Sequence, residues 1–536
     1  MAAAAAPFTL NGIPLNAFKG NGFLQKLAAA SPTDRVLVLI QLHGGNDGLN
    51  TIIPINQYSE YYNFRPNIAI PQSGARRYIT LDPSLASNQQ VGLHPDMTAA
   101  KAMYDDGNFV LVQNVSYENM NGSHFRSRDI WFMGGDYDEY LASGWLGRYL
   151  DYYYPGYPTG YPNSSVPDPL ALEIGYGISL AFHRGQGIPL GISVQDPDAF
   201  YNLINSVGVN PPITFPDSHA GDEIEYIMQM EQQANQYALR LKNVYDAGSN
   251  SSVVYPDLYP FVAPSSALHN PLAPQLRIIS RLLNGGCSTR IFLCRIGGFD
   301  THANQVLNTD TTMGGHAAKL YHVTAAVKAF YDDLQALGLS DRVLTMTFSE
   351  FGRRVASNAS YGTDHGNAAP MLIFGKCLNP GVYGTNPDLN NLSSGNIPMQ
   401  YDYRQVFTSV VKDWFGAPQP AIQQVMFDDW VDNRIDFVNC KLTGTDEIYQ
   451  DRLRMACFPN PAKTETTISW YIHKPAEVSI DIRDLHGRPV ITVIHQKMEI
   501  GEYNRQVDLS ALASGTYAVT LRTREGAVTE KLVIAK

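Results

Sequence analysis

Val36-Leu37-Val38-Leu39-Ile40-Gln41-Leu42 is an almost unbroken apolar run that empties into His43-Gly44-Gly45-Asn46-Asp47-Gly48. A run without polar alternation reads as a strand buried on both faces, as in a parallel sheet covered by helices. Phe109–Val115, Ile291–Ile296, Val343–Phe348 and Met371–Phe374 read the same way. Helical spacing lies between them. Met97–Tyr104 precedes the second run, Glu223–Ala247 carries Ile227, Met230 and Ala234, and Gly315–Leu337 aligns Leu320, Val323, Val327, Phe330 and Leu334. Strands alternating with helices predict an α/β fold, a mostly parallel sheet flanked by helices.

The chain has 536 residues, 44% hydrophobic and 17% charged, which suits two or three folded domains with a large core. A net charge of −11, spread along the chain, speaks against a nucleic-acid partner. No apolar run reaches the roughly 20 residues needed to span a bilayer, so no transmembrane segment is expected. The first residues, Met1-Ala2-Ala3-Ala4-Ala5-Ala6-Pro7, lack a basic region. A trimmed export signal and a plain N-terminal extension both remain open for them. None of the five cysteines forms a CxxC pair, which argues against a cysteine zinc site. Cys440 and Cys457 flank a polar stretch and are expected either to pair in an oxidising compartment or to stay as independent thiols.

The expected organisation is an N-terminal extension (1–30), an α/β domain (31–440), a linker (441–456) and a small all-β sandwich (457–536). Residues 149–269 interrupt the alternation, starting at Tyr152-Tyr153-Tyr154-Pro155-Gly156-Tyr157-Pro158, and read as an insertion or cap. Exposed aromatics there would stack on sugar rings; the alternative is that they pack on their own scaffold. Past the linker the period changes to two: Val478, Ile480 and Ile482 share a face, as do Val507 with Leu509, and Tyr517, Val519 and Leu521.

The polar residues of interest cluster at the ends of the apolar runs, where open α/β sheets place their chemistry. Asp47 is a candidate metal ligand, with an Asx-type turn as the alternative. Ser123 opens an apparent helix and reads as an N-cap or, beside a metal, as a nucleophile. His124 reads as a ligand or a supporting group, and Arg126 as a partner for phosphate or sulfate. Asp300 and His302, two apart in a turn, are the best local metal signal, with Asn304 and Gln305 as supports. Glu350 ends another strand, Arg353 suits a carboxylate or an anion, and His365 is a natural last ligand.

Taken together, Leu42-His43-Gly44-Gly45-Asn46-Asp47-Gly48, Gly92-Leu93-His94-Pro95, Ser123-His124-Phe125, Gly144-Trp145-Leu146-Gly147-Arg148, Gly298-Phe299-Asp300-Thr301-His302, Ser349-Glu350-Phe351-Gly352-Arg353 and Asp364-His365-Gly366 resemble the DUF1501 family of the alkaline phosphatase/sulfatase-like superfamily. That resemblance implies an alkaline phosphatase-like fold and a two-metal hydrolase. Asp47 and Glu350 would hold one ion beside the nucleophile Ser123, and Asp300, His302 and His365 the other. Zinc is the first choice, with magnesium, calcium or manganese as alternatives. Glu350 departs from the superfamily pattern of Asp followed by His, since Phe351 follows it.

The C-terminal segment resembles the type A sorting domain of the Bacteroidetes type IX secretion system. The matching pieces are Phe458-Pro459-Asn460-Pro461-Ala462, Ile482-Arg483-Asp484-Leu485-His486-Gly487, Val507-Asp508-Leu509-Ser510-Ala511-Leu512, Ser514-Gly515-Thr516-Tyr517 and Lys531-Leu532-Val533-Ile534-Ala535-Lys536. It implies export through the periplasm to the outer surface or beyond, with the secretion machinery as partner. The expected function is a metal-dependent hydrolase of phosphate or sulfate esters, those on polysaccharides included. The alternative is a non-catalytic surface, structural or glycan-binding protein on the same fold.

Overall fold

A computed structural model describes residues 34–440 except 165, 176, 200, 201 and 203–234. It also describes the pairs 9–10 and 13–14, and 454–536 except 461, 473, 474, 485, 486, 500, 524 and 525. Most of the N-terminal extension, most of the linker and the first half of the 223–247 helix lie outside these residues; 235–247 is helical. The chain divides into two compact units, 1–440 and 441–536.

Among the described residues, nine strands form the main sheet of the first unit: β1 Val36–Leu42, β2 Phe109–Ser116, β3 Ala171–Ile174, β4 Ile192–Val194, β5 Ile291–Ile296, β6 Val343–Phe348, β7 Ala369–Gly375, β8 Gly381–Tyr383 and β9 Tyr401–Asp402. Their order is β8-β2-β7-β6-β1-β5-β3-β4, with β9 also on β2. All neighbours run parallel except the two pairings of β7, which is antiparallel to β6 and β2. The expected α/β architecture is therefore present, with β1 at its centre.

Strand β1 shows why the run is apolar at every position but Gln41, which is buried and accepts from Arg295 Nε. Val36, Val38, Ile40 and Leu42 enter one core cluster with helices α1 (Thr98–Asp105), α4 (Ala273–Asn284) and α5 (Gly315–Ala336). Leu37 and Leu39 enter a second with α2 (His124–Met133) and α3 (Trp145–Tyr153). Side chains alternate across a strand, so a sheet covered on both faces needs hydrophobes at every position.

Two expectations change. Residues 149–269, read as an insertion beside the sheet, supply β3 and β4 to it, with Leu172 hydrogen-bonded in register between Phe292 and Ile192. Within the Tyr/Pro stretch, Tyr157 is fully buried, and Tyr152, Tyr153 and Tyr154 pack against the core. The disulfide joins Cys377 to Cys440, and Cys457 is a free thiol. Asn379 N donates to Phe437 O and Asn439 N to Cys377 O, a short antiparallel pairing that brings the two Cα atoms to 4.7 Å, within disulfide range.

The second unit is two antiparallel sheets. Arg454–Phe458, Glu465–Ile472 and Gly501–Asp508 form one; Pro489–Met498, Ala476–Arg483, Gly515–Thr523 and Gly526–Ile534 form the other. Val478, Ile480, Ile482, Val519 and Leu521 are completely buried, as the period of two requires.

Candidate metal centre

The carboxyl ends of β1, β5 and β6 lie side by side, because these strands are adjacent and parallel. Strand β7 runs the other way, so the segment before it lies at the same edge. That is why His365, ahead of a strand rather than behind one, joins the others. The loop after β6 doubles back onto this segment: Gly352 N donates to Asn367 O, Arg354 N to Asp364 O and Gly366 N to Gly352 O. The turn after β1 packs directly on that after β5. Gly44 has φ 123°, and a Cβ there would stand 2.2 Å from the Asp300 amide nitrogen, so only glycine fits.

Helix α2 is tied to the end of β6. Ser127 Oγ and Trp131 Nε1 both donate to the Glu350 carbonyl, the latter at 3.1 Å. His124, at the first turn, is thereby held against the Glu350 carboxylate, with Nδ1 2.9 Å from Oε1. Gly44 N donates to the same oxygen at 2.8 Å, and His43 Nδ1 stands 3.4 Å from it. Glu350 Oε2 is buried with no hydrogen-bond partner among the described residues. Burial works to raise the Glu350 carboxyl, but His43 and His124 outweigh it and hold it below the ordinary range.

Three imidazoles converge on Asp300. His365 Nδ1 lies 2.8 Å from the Gly122 carbonyl, which can only accept, so Nδ1 carries the proton and Nε2 is a lone pair. His302 Nδ1 faces Asp364 Oδ1 at 3.2 Å and His124 Nδ1 faces Glu350 Oε1 at 2.9 Å, so each ring has a carboxylate to accept from Nδ1. All three Nε2 atoms face the Asp300 carboxylate. His302 Nε2 is 2.9 Å from His365 Nε2, and these lie 3.2 and 3.3 Å from Asp300 Oδ1. His124 Nε2 is 3.5 Å from Asp300 Oδ2. Two Nε2 atoms this close need a proton or a metal cation between them. Tetrahedral ligands on a zinc-sized ion sit about 3.3–3.5 Å apart, given ~2.0–2.2 Å bonds to nitrogen and oxygen. His124, Asp300 and His365 meet a metal-holding geometry as a group of three, and the 2.9 Å between the Nε2 atoms of His302 and His365 is shorter than that spacing. Each imidazole also gives its other N–H to a carboxylate or a carbonyl, the support that metal-bound histidines need.

Arg353 fixes Asp300 from behind. Fully buried, it donates to Asp300 Oδ1 at 2.7 Å, to the carbonyls of Gly45 (2.8 Å), Phe299 (3.0 Å) and Thr363 (3.1 Å), and to that of Gly44. Burial tends to raise the Asp300 carboxyl; Arg353, His124 and His302 together keep it low. The Asp300 side chain remains 46% exposed, so the cluster opens to solvent.

Other expected residues lie elsewhere. Asp47 is not with Glu350. Its side chain is buried, with Arg65 NH1 on Oδ1 and Oδ2 at 2.9 and 2.8 Å and Gln305 Nε2 on Oδ2 at 2.6 Å. Gln305, expected to support Asp300, serves Asp47 instead. Arg126, expected to take an anion, donates to the carbonyls of Tyr137 (2.7 Å) and Glu139 and stacks on Tyr140. Ser123 is the N-cap residue of α2 and exposed, and its side chain makes no capping bond. His43, Asp364 and Arg65 were not singled out from sequence. His43 and Asp364 lie inside the quoted motifs but were given no role of their own, whereas Arg65 ends a short helix with no signal of its own.

Residues 273–425 match the model of DUF1501, a protein family of unknown function, and 456–535 match the secretion system C-terminal sorting domain. The chain carries a DUF1501 segment followed by a sorting domain. That segment contains Asp300, His302, Glu350, Arg353, Asp364 and His365. No curated protein matches the chain. Among solved structures, similarity extends to a sulfatase from Pseudoalteromonas sp. (10% identity, 93% of this chain and 88% of that one, TM-score 0.29). It also extends to a protein in the alkaline phosphatase superfamily from Vibrio parahaemolyticus (9% identity, 94% and 82%, TM-score 0.31). Scores of this size fix no residue correspondence, and the site is read from its own geometry. The sorting domain indicates export by the type IX system to the cell surface or the extracellular space. No helix among the described residues is long and apolar enough to cross a membrane.

Proposed function

We propose that the protein is an exported metal-dependent hydrolase of phosphate or sulfate esters, working with one divalent ion on His124, Asp300, His302 and His365. The observation that carries this reading is the convergence of three imidazole Nε2 atoms on a single carboxylate at an exposed sheet edge. Mixed imidazole and carboxylate donors favour zinc. An ion bound there would polarise an ester oxygen and make a neighbouring hydroxyl or water more acidic. Arg353 and Asp364 hold the ligands in place, and Glu350 orients His124. In this reading Ser123, uncapped and next to His124, attacks the phosphorus or sulfur atom and the alcohol departs. Water then releases the Ser123 ester. His43, whose side chain is 40% exposed and backed by Glu350, takes the proton from Ser123. The two-ion arrangement lacks its second pole, because Asp47 is committed to Arg65.

The test is hydrolysis of 4-nitrophenyl phosphate and 4-nitrophenyl sulfate by the full chain, stripped with chelator and titrated with zinc. Turnover of one ester is expected to return with about one equivalent and to be absent in Asp300→Ala. Undiminished turnover in Ser123→Ala would pass the attack to water. The commitment of Asp47 to Arg65 also favours the second reading, a non-catalytic surface protein that kept the fold. Metal-free protein with unchanged stability in chelator would decide for that one.

A further inference from the structure

A cleft of about 550 Å³ opens beside the metal centre, between α2 and the carboxyl ends of β3 and β5. Its size is that of a site for a small organic ligand. Two elements of the centre also line it. Gly297 follows β5 three residues before Asp300, and Arg128 and Phe132 follow His124 at i+4 and i+8 on one stripe of α2. Arg128 is thus one helical turn, about 6 Å, along the axis from His124.

The chemistry of the lining is mixed and its charge is balanced. Arg295 donates to Gln41 Oε1 at 2.8 Å and stands 3.3 Å from Glu173 Oε1. Glu173 is buried and also accepts from Ser179 N and Oγ at 2.7 and 2.9 Å. Arg128 lies 3.5 Å from Asp129, and its Nε is buried without an acceptor among the described residues. Ile174, Ile178 and Phe132 supply apolar wall. An anion would meet arginines already balanced by carboxylates. A purely apolar ligand would cover the partly exposed guanidinium groups of Arg128 and Arg295 without offering them an acceptor. A ring carrying both hydroxyls and C–H faces satisfies both halves of the lining.

We propose that this cleft holds an uncharged saccharide ring, the alcohol portion of the ester whose phosphate or sulfate lies on the metal centre. The link to the ester rests on the hydrolase reading; binding of the ring does not. Gly177 lies at the rim, exposed, and a Cβ there meets nothing within 4 Å, so Gly177→Trp can start a bulky side chain at the mouth of the cleft.

The first experiment is saturation-transfer NMR on the full chain in chelator, with methyl β-glucoside, methyl β-galactoside and methyl β-xyloside as probes. At least one is expected to bind, about tenfold more weakly in both Gly177→Trp and Arg128→Met. No binding of any probe, or binding untouched by both variants, overturns the proposal. The second compares zinc-loaded wild type and Gly177→Trp on the 6-phosphate and 6-sulfate of the sugar that binds. KM is expected to rise about tenfold while the zinc content of the protein stays unchanged. An unchanged KM overturns the link to the ester. Sugar binding in a protein that hydrolyses nothing supports the cleft and removes the hydrolase reading alone.

Discussion

Asp47 and Asp300 follow neighbouring parallel strands, β1 and β5, yet the fold treats them in opposite ways. Asp47 is sealed: its side chain and that of Arg65 are at most 1% exposed, and both carboxylate oxygens are taken. Arg65 is equally spent, with its remaining donors on Asn50 Oδ1 and the carbonyls of Val355 and Arg354. Asp300 receives one guanidinium nitrogen from Arg353, which gives its other bonds to carbonyls, and it faces three imidazoles toward solvent. In the proposed reading, a carboxylate at a strand end is left free to take a metal when its counter-charge is incomplete. Asp47 has a complete one built from the protein, and Asp300 does not.

Removing the sealed carboxylate has the largest expected effect on stability. Asp47→Ala strands a buried guanidinium and is expected to cost about 3–5 kcal/mol in denaturant unfolding, with metal content unchanged. Loss of metal in that variant would break the contrast. Next is pH. Burial pulls His316, beside Asp47, down to about 4. Its Nε2 is bonded to Asn46 Oδ1 at 3.0 Å. A depressed histidine means that the unfolded chain binds the proton first. Stability should therefore fall as pH drops from about 6.5 toward 4, by on the order of 3 kcal/mol. Asp47, held low chiefly by Arg65 against the pull of burial, adds a further loss only below the ordinary carboxylate range, near pH 4. His316→Gln is expected to flatten the slope between pH 6.5 and 4 in thermal unfolding. A slope identical to wild type would rule out His316 as its source. The smallest effect sharpens the open side of the comparison. Asp364 is kept low by His302, and Asp364→Asn weakens the acceptor that orients it. Zinc affinity by calorimetry is expected to fall about 10- to 100-fold with the fold intact.

The sheet was legible because burial on two faces leaves no choice of residue: the ranges read for β1, β5 and β6 coincide with the strands. The reversed direction of β7 was not, since a buried antiparallel strand has the same composition as a parallel one. Asp300, His302 and His365 were readable as candidate ligands because their types and strand-end positions carry the signal, and the fold brings the three together. Their grouping with His124 was not, because it depends on Ser127 and Trp131 docking α2 onto the Glu350 carbonyl. The diversion of Asp47 was equally hidden. Arg65 lies eighteen positions on, and only the packing of Tyr61, Asn50 and Arg65 in one buried network brings it there.

The central claim is one cation on the Asp300 side and none on the Asp47 side. Inductively coupled plasma mass spectrometry of the full chain, dialysed after zinc loading, measures it directly. The account predicts close to one equivalent in wild type, the same in Asp47→Asn, and none in Asp300→Ala. Two equivalents in wild type with one lost in Asp47→Asn, or none in wild type, would contradict it.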